Sequence, residues 1–397
     1  MSTTAASLAP RAHFPVLDDF VYMNNASIGL APEPVRQKAK ELDEQIGGRG
    51  TIGFDDEVEK LALDEPRKSV ARLLGVAERD VAVTTNATEA LNQIAWWLRP
   101  GEGENVVSFD IEFPSVTYPW LRVAQDTGAE VRLAAAIEDP TQIALDLLVE
   151  RVDERTRVIC VSHVQYATGH RLDPRALADL AHAHDALLVL DVSQSAGVVP
   201  IELAAWDVDV LVSTGYKWLC GPPGAGICYV RPELQERFEP PFVGWRSTVD
   251  PPAFDATTIP LAAGLRRMEY STPAYAAVAG LGAACEYLLK LGIEEVLEHD
   301  QHLAALLMDG LEERGATVLT PREDERRAGI VIARFPNRSG NEIFARLDKA
   351  GVIVSPRLGA VRFSHHVYND ESDVARALEA IDEILAAPAP GDRKEQQ

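Results

Sequence analysis

STGYKWLCGPPGAGICYV (213–230) and, just upstream, LLVLDVSQSAG (187–197) decide how this chain is read. In the first, Lys217 sits between a β-type run and a Gly/Pro loop, among residues that belong in an interior. A buried lysine is costly unless it is paired or used. Desolvation lowers the pKa of an ammonium, and the free amine can condense with an aldehyde. Taken alone, Lys217 reads as well as a surface lysine at a strand end. GPPGAG lacks the Lys-Ser/Thr that closes a nucleotide phosphate loop, and it follows the lysine rather than preceding it. It is read as tight turns that bring the backbone close to a site. In the second stretch Asp191 ends an apolar strand, where an unpaired carboxylate is expensive. Its plain reading is a capping Asp. The two residues are 26 apart, one strand–connection–strand unit. That spacing can set both at the carboxyl ends of sheet strands, where ligands of open α/β sheets bind.

Working outward, short apolar runs alternate with helical patterns. VAVTT (81–85) precedes a helix from Thr88 to Leu98, and NVVSF (105–109) precedes one starting near Pro114. RVICVSHV (157–164) and LLVLDV (187–192) flank a helix opened by Asp173-Pro174, a cap followed by proline at the first helical position. VDVLVST (208–214) and GICYVR (226–231) follow. This order predicts an α/β fold with a mostly parallel sheet covered on both faces. From Pro273 a long helix carries Val278, Leu281, Cys285 and Leu288 on one face. Beyond it, GIVIARF (329–335), VIVS (352–355), AVRFS (360–364) and a last helix from Asp370 predict a smaller α+β domain. The expected division is a flexible lead over 1–13, a large domain over 14–270, a small domain over 271–387 and a disordered tail over 388–397.

Composition narrows the partners. The chain has 397 residues, 46% hydrophobic and 25% charged, with net charge −23. Such an acidic balance argues against nucleic acid and anionic membranes. Four cysteines without a CxxC pair argue against a disulfide framework and a zinc site. Neither a signal peptide nor a run of about 20 apolar residues is present, so a cytoplasmic enzyme with reduced thiols is expected.

A third segment, TTNATEALN (84–92), sets small polar residues before a helix. Free N–H groups at a helix start bind anions, although an ordinary N-cap looks the same. In this order the three segments resemble the class V aminotransferase family of fold type I pyridoxal 5′-phosphate (PLP) enzymes, which includes cysteine desulfurases, kynureninases and isopenicillin N epimerases. The resemblance runs from YMNNASIGLAP (22–32) to VRFSHHVYND (361–370), and HVQYATG (163–169) is most similar to kynureninases and epimerase-like members. It implies that Lys217 holds PLP as a Schiff base, that Asp191 pairs with the pyridinium, that Gln194 meets the ring 3-oxygen and that Phe113 stacks on the ring. Ala87, Thr88, Thr214 and Tyr216 would hold the phosphate. Tyr216 stands where many relatives carry His. Thr272 would reach the phosphate of a second subunit, making a homodimer with shared sites, and would also cap a helix starting at Pro273. The Ala/Gly-rich helix that follows would permit close packing. Arg362 matches the arginine that grips the substrate carboxylate, with Asn25 beside the substrate and Arg357 or Asn25 as the substitute should Arg362 not serve.

One departure from that resemblance bears on the reaction. Cysteine desulfurases attack substrate sulfur with a loop cysteine just before this arginine. Here the stretch is VSPRLGAVRF (354–363), short and free of Cys, and Cys220 reads as part of a packed turn. The expected activity is β-elimination from a cysteine-type or S-conjugated amino acid, a carbon–sulfur lyase. The alternatives are an aminotransferase or an epimerase. A non-catalytic PLP-binding regulator is set aside, because no DNA-binding domain or basic patch accompanies the fold.

Overall fold

The computed structural model describes residues 6–387. Strand β1 (Val21–Tyr22) comes first. It is followed by β2 (Val81–Thr84), β3 (Asn105–Phe109), β4 (Glu130–Ala134), β5 (Thr156–Ser162), β6 (Leu187–Asp191), β7 (Val210–Thr214) and β8 (Gly226–Val230). Strands β2 to β8 form one sheet in the order β2-β8-β7-β6-β5-β3-β4. β8 runs antiparallel to both neighbours and the other pairs are parallel. The central strands are buried almost along their whole length, which is why they read as unbroken apolar runs rather than alternating ones. Sequence order reverses between β3 and β5: β4 lies on one side of β3 and β5 on the other. A crevice opens at the strand ends of such a reversal, and the site lies there.

Several local signals are realised as expected. Asp173 caps the helix Pro174–His182 by accepting from the N–H groups of Arg175 and Ala176. Asp370 caps Glu371–Ala386 in a reciprocal capping box with Asp373. Val278, Leu281, Cys285 and Leu288 are all buried on the helix Tyr275–Leu291, each of the two leucines contributing about 2 kcal/mol by burial.

The second half adds β9 (Thr317–Val318), β10 (Ile330–Arg334), β11 (Val352–Ile353), β12 (Ser355–Arg357) and β13 (Ala360–Ser364). An antiparallel sheet forms in the order β12-β13-β10-β9. Its core is joined by residues from the other end of the chain. Val21 and Met23 sit in the same apolar cluster as Leu303, Val331 and Phe363, and β1 pairs in parallel with β11. The amino-terminal segment therefore packs on the carboxyl-terminal unit, not only on the large one as the expected boundary at residue 14 implied. Nor are residues 6–13 a loose lead. Ala9 is fully buried and its N–H donates to Val367 O, while Arg11 is paired with the buried Asp373 at 2.7 Å. A cation meeting a buried carboxylate ties this stretch down. The expected disordered tail, 388–397, lies outside the described residues.

One further expectation is corrected, and one is met within the chain itself. Thr272 caps no helix: that helix begins at Tyr275, with Ala274 at its N-cap and no side-chain bond there. The small residues of Tyr275–Leu291 serve this chain's own packing, for a Cβ at Gly280 would meet Pro222 Cγ at 2.5 Å and one at Gly282 would meet Pro66 Cα at 2.8 Å.

The Gly/Pro loop behaves as its composition dictates. Gly215 N–H donates to Ala225 O and Gly221 N–H donates to Gly215 O, so 215–225 closes on itself. Two glycines elsewhere let other segments touch it. A Cβ on Gly29 would be driven into Lys217 O, and one on Gly197, whose φ is +100°, into Trp218 O. Gly197→Ala should therefore cost roughly 2–4 kcal/mol, from strained backbone and displaced neighbours. Urea unfolding measures this, and a loss under about 0.5 kcal/mol, the scale of a neutral surface change, would show that the loop yields freely.

Candidate active site

Asp191 and Val212 are register partners on adjacent parallel strands, so Asp191 and Lys217, three residues beyond β7, stand at the same end of the sheet. Both line a cleft together with Ala87, Thr88, Phe113 and Tyr166. Burial pushes the Lys217 ammonium down to about 8. Asp191 opposes that fall, and Arg362 and Arg357 add to it. Asp191 is raised by its own burial, against the bonds from Ser193 and the charge of Lys217. The amine also lies 5.4 Å from the centre of the Phe113 ring.

One wall of the cleft is built for an anion. Asn86 caps the helix Ala87–Leu98 by accepting from Glu89 N–H, leaving the N–H groups of Ala87 and Thr88 ahead of the first intrahelical bond. The Thr88 hydroxyl shares a 2.7 Å hydrogen bond with Ser115, from the first turn of the helix Pro114–Thr127. Thr214 Oγ1 is buried without a hydrogen-bond partner among the described residues, and Tyr216 completes the lining. An orphaned hydroxyl beside a free helix start suits a phosphate. The opposite wall offers Asp191 to a protonated ring nitrogen and Lys217 to an aldehyde. These groups fit PLP.

Gln194 has its amide orientation settled by its neighbours. The Trp218 indole N–H can only donate, and it donates to Gln194 Oε1 at 2.7 Å. Gln194 Nε2 donates to Ala26 O, which leaves its second N–H for the cleft. Arg362, 1% exposed, donates from Nη1 to Tyr166 O and from Nη2 to Ser27 Oγ. Nε has no partner among the described residues. Burial, with the Arg357 charge nearby, pushes this guanidinium down to about 9.

Three expected residues are not among those lining the cleft: Arg362, which meets it through Tyr166 O, and Asn25 and Thr272. Asn25 is fully buried and accepts from the Tyr368 hydroxyl. It belongs to the packed wall behind, where its N–H donates to Ser364 O and its amide oxygen is taken by Tyr368. Thr272 is exposed and lines a separate recess with Thr85, Glu89 and Arg246. All four cysteines are buried, and none lines the cleft.

Other groups went unnoticed in the sequence. Glu112, next to Phe113, accepts from Ser162 N–H and Oγ; its burial pushes it up to about 7, with Asp191 adding to the rise. Tyr166 meets Phe113 edge-on at 5.5 Å. Asp300 and His366 form a buried pair: Nδ1 donates to Asp300 Oδ2 at 2.9 Å, and Nε2 donates to Trp218 O at 2.9 Å. Both ring nitrogens face acceptors, so the ring is the doubly protonated cation. Only DIEFPS, HVQYATG and VRFSHHVYND hinted at these residues, and no spacing rule ties 112 to 162 or 300 to 366.

The chain belongs to the aminotransferase class-V family, which it matches over residues 21–377, and pyridoxal 5′-phosphate is its cofactor. Within that family it is cysteine desulfurase-like. An uncharacterized aminotransferase of Bacillus subtilis is 28% identical, covering 95% of this chain and 96% of that protein. A probable cysteine desulfurase of Mycobacterium leprae is 30% identical, covering 90% and 87%. The solved apo cysteine desulfurase of Thermococcus onnurineus superposes with TM-score 0.85 at 25% identity, over 97% of this chain and 99% of that one.

The Asp300–His366 pair gives a pH signature. Burial alone would lower His366, but the Asp300 carboxylate outweighs it and holds the ring up to about 10. An unfolded histidine titrates near 6.5. The stabilisation is therefore whole below about pH 6.5 and is lost as pH rises toward 10. His366→Ala should cost roughly 3 kcal/mol at neutral pH by stranding Asp300, and should flatten that part of the stability–pH curve. An unchanged curve from denaturant titrations would show the pair to be inert.

Proposed function

We propose that the protein is a carbon–sulfur β-lyase on cysteine-type or S-conjugated amino acids, working without a persulfide cysteine. One observation carries this reading. The hairpin bearing Arg362 closes through the two-residue turn Leu358-Gly359, with φ of +47° and +73°, and holds no thiol. The bound cofactor supplies an electron sink that acidifies Cα–H. Lys217, tuned by burial toward neutrality, is the base that takes that proton. With the cofactor bound, Asp191 would hold the proton of the ring nitrogen and Phe113 would lie against the ring. Ala87, Thr88, Thr214 and Tyr216 hold the phosphate, and Gln194 turns its free N–H to the ring oxygen. Arg362 holds the α-carboxylate, a planar task suited to guanidinium. Carbon–sulfur cleavage plus one water then gives thiol, keto acid and ammonia.

The desulfurase names of several relatives favour sulfur chemistry. A cystine C–S lyase, solved in complex with its product cysteine persulfide, shares the fold with TM-score 0.85 at 23% identity. Transamination, which the name of the Bacillus relative favours, would use the same groups. Changing all four cysteines to Ala or Ser should leave turnover within about threefold, whereas Lys217→Ala should abolish it, at a cost of about 10²-fold or more. Borohydride reduction of the holoenzyme should fix the cofactor on Lys217, read by peptide mass. The deciding assay is a panel of cysteine S-conjugates scored for thiol, keto acid and ammonia. A keto acid that forms only with a second amino-group acceptor would replace the lyase reading with transamination.

We also infer a homodimer with shared sites, in the cytoplasm. The segment following β8 exposes Phe242, Trp245, Val249, Phe254 and Ile259, an apolar face of the kind a second copy covers, and Thr272 lies exposed beyond its own cleft. The free, buried thiols suit a reducing compartment, and among the described residues no single helix is long and apolar enough to cross a membrane. Sedimentation should show a dimer, and a strictly monomeric, fully active protein would refute the shared site.

A further inference from the structure

Arg362 has a companion. In the β12–β13 hairpin, Ser355 pairs with Arg362 and Arg357 pairs with Ala360. Side chains two apart on a strand leave the same face, as do residues directly opposite. Arg357 and Arg362 therefore project from one face as diagonal neighbours. That face is turned to the site, since Arg362 donates to Tyr166 O and Tyr166 lines the cleft. Tyr166 touches Phe113, which in turn lies over Lys217. Arg362 is the buried member and Arg357 the half-buried one, so the pair runs from the interior beside Tyr166 toward the surface.

Neither guanidinium is paired with a carboxylate among the described residues. Arg357's one hydrogen bond goes to the neighbouring carbonyl, Pro356 O, at 2.6 Å. Some half-buried arginines of this strongly acidic chain meet acids, as Arg132 meets Asp153 at 2.9 Å and Arg231 meets Asp209 at 3.2 Å. Two like charges held side by side without anions repel, and each lowers the affinity of its neighbours for protons. Burial is the main cause that lowers the Arg362 guanidinium and the Lys217 amine, and the charge of Arg357 adds to the fall of both. One α-carboxylate would neutralise Arg362 and leave Arg357 unmatched. The turn Leu358-Gly359 holds both residues in left-handed conformations, as a two-residue hairpin turn requires, so Arg357 is the last strand residue in a fixed frame rather than a side chain on a wandering loop.

We propose that Arg357 receives a second anionic group of the substrate, so that the preferred substrates are cysteine conjugates whose sulfur-bound fragment ends in a carboxylate or comparable acid. This rests on the reading of Arg362 as the holder of the α-carboxylate. The acid departs with the thiol, and no atom of Arg357 changes its bonding during the reaction. Arg357 is thus a specificity residue.

The test uses the holoenzyme and two probes of similar size, S-(2-carboxyethyl)-L-cysteine and S-propyl-L-cysteine. Thiol release gives kcat/KM, and titration of the cofactor's absorption gives equilibrium affinity. The acid should be preferred by roughly tenfold or more, the worth of one charge-assisted hydrogen bond. Arg357→Met should bring the acid-to-neutral ratio close to one, and Arg357→Lys should restore part of it. Arg362→Lys should weaken both probes alike. Equal losses on the two probes in Arg357→Met, or no preference in the unaltered protein, would overturn the assignment. If neither probe releases thiol but the acid still binds more tightly through Arg357, the acidic specificity stands and the lyase reading falls.

Discussion

Three consecutive carbonyls around Lys217 are each held by a different part of the chain. Gly29 N–H donates to Tyr216 O at 2.8 Å, Cys220 N–H donates to Lys217 O at 3.0 Å, and His366 Nε2 donates to Trp218 O at 2.9 Å. The first partner comes from the amino-terminal segment, the second from the loop itself and the third from the strand end that carries Arg362. The roles proposed for Lys217, bonding the cofactor and moving a proton, would need its backbone fixed. The glycines at 29 and 197, the closed Gly/Pro loop and the buried Asp300–His366 pair all serve that one constraint.

Placing an imidazolium and a carboxylate in a dry interior is not the cheapest way to hold a loop. The arrangement spans three segments distant in sequence. Asp300 lies on the helix Ile293–Glu313, His366 follows β13, and Trp218 follows Lys217. The same indole that packs edge-on against His366 fixes the amide of Gln194. One buried charge pair thereby orients a main-chain carbonyl, an aromatic ring and, through the ring, a polar group facing the cleft.

The electrostatics of the cleft follow a related logic. Lys217, Arg362 and Arg357 are cations drawn into a poorly solvated space, with Asp191 and Glu112 as the nearby acids. Glu112 is pushed up to about 7, so at neutral pH it carries only part of a negative charge. The site is thus short of anions in a chain with a large surplus of acidic residues, and a cofactor phosphate would make good part of that shortfall.

Much of this was legible in one dimension. Apolar runs too long for alternation announced a buried parallel sheet, Asp173 and Asp370 announced helix starts, and Lys217 with Asp191 announced a site at strand ends, because local patterning obeys local rules. The absence of cysteine between 354 and 363 is likewise a property of the sequence alone. Thr272 shows the limit of such reading: a Thr-Pro pair is a good start signal, yet the helix opens later at Tyr275. Asn25 shows it too, being polar and close in sequence to Ser27 but turned into a wall. Which polar residues face the cleft depends on strand order and register, and these are set by contacts among residues far apart in the chain. Glu112 meets Ser162 because β3 lies beside β5, Arg357 lines up with Arg362 because the hairpin turns on two residues, and His366 meets Asp300 because the helix Ile293–Glu313 packs against β10, the neighbour of β13. The sequence by itself determined the sheet, the lysine and its acid. Tertiary structure alone decided their company, because long-range packing rather than local propensity chooses which side chains share a space.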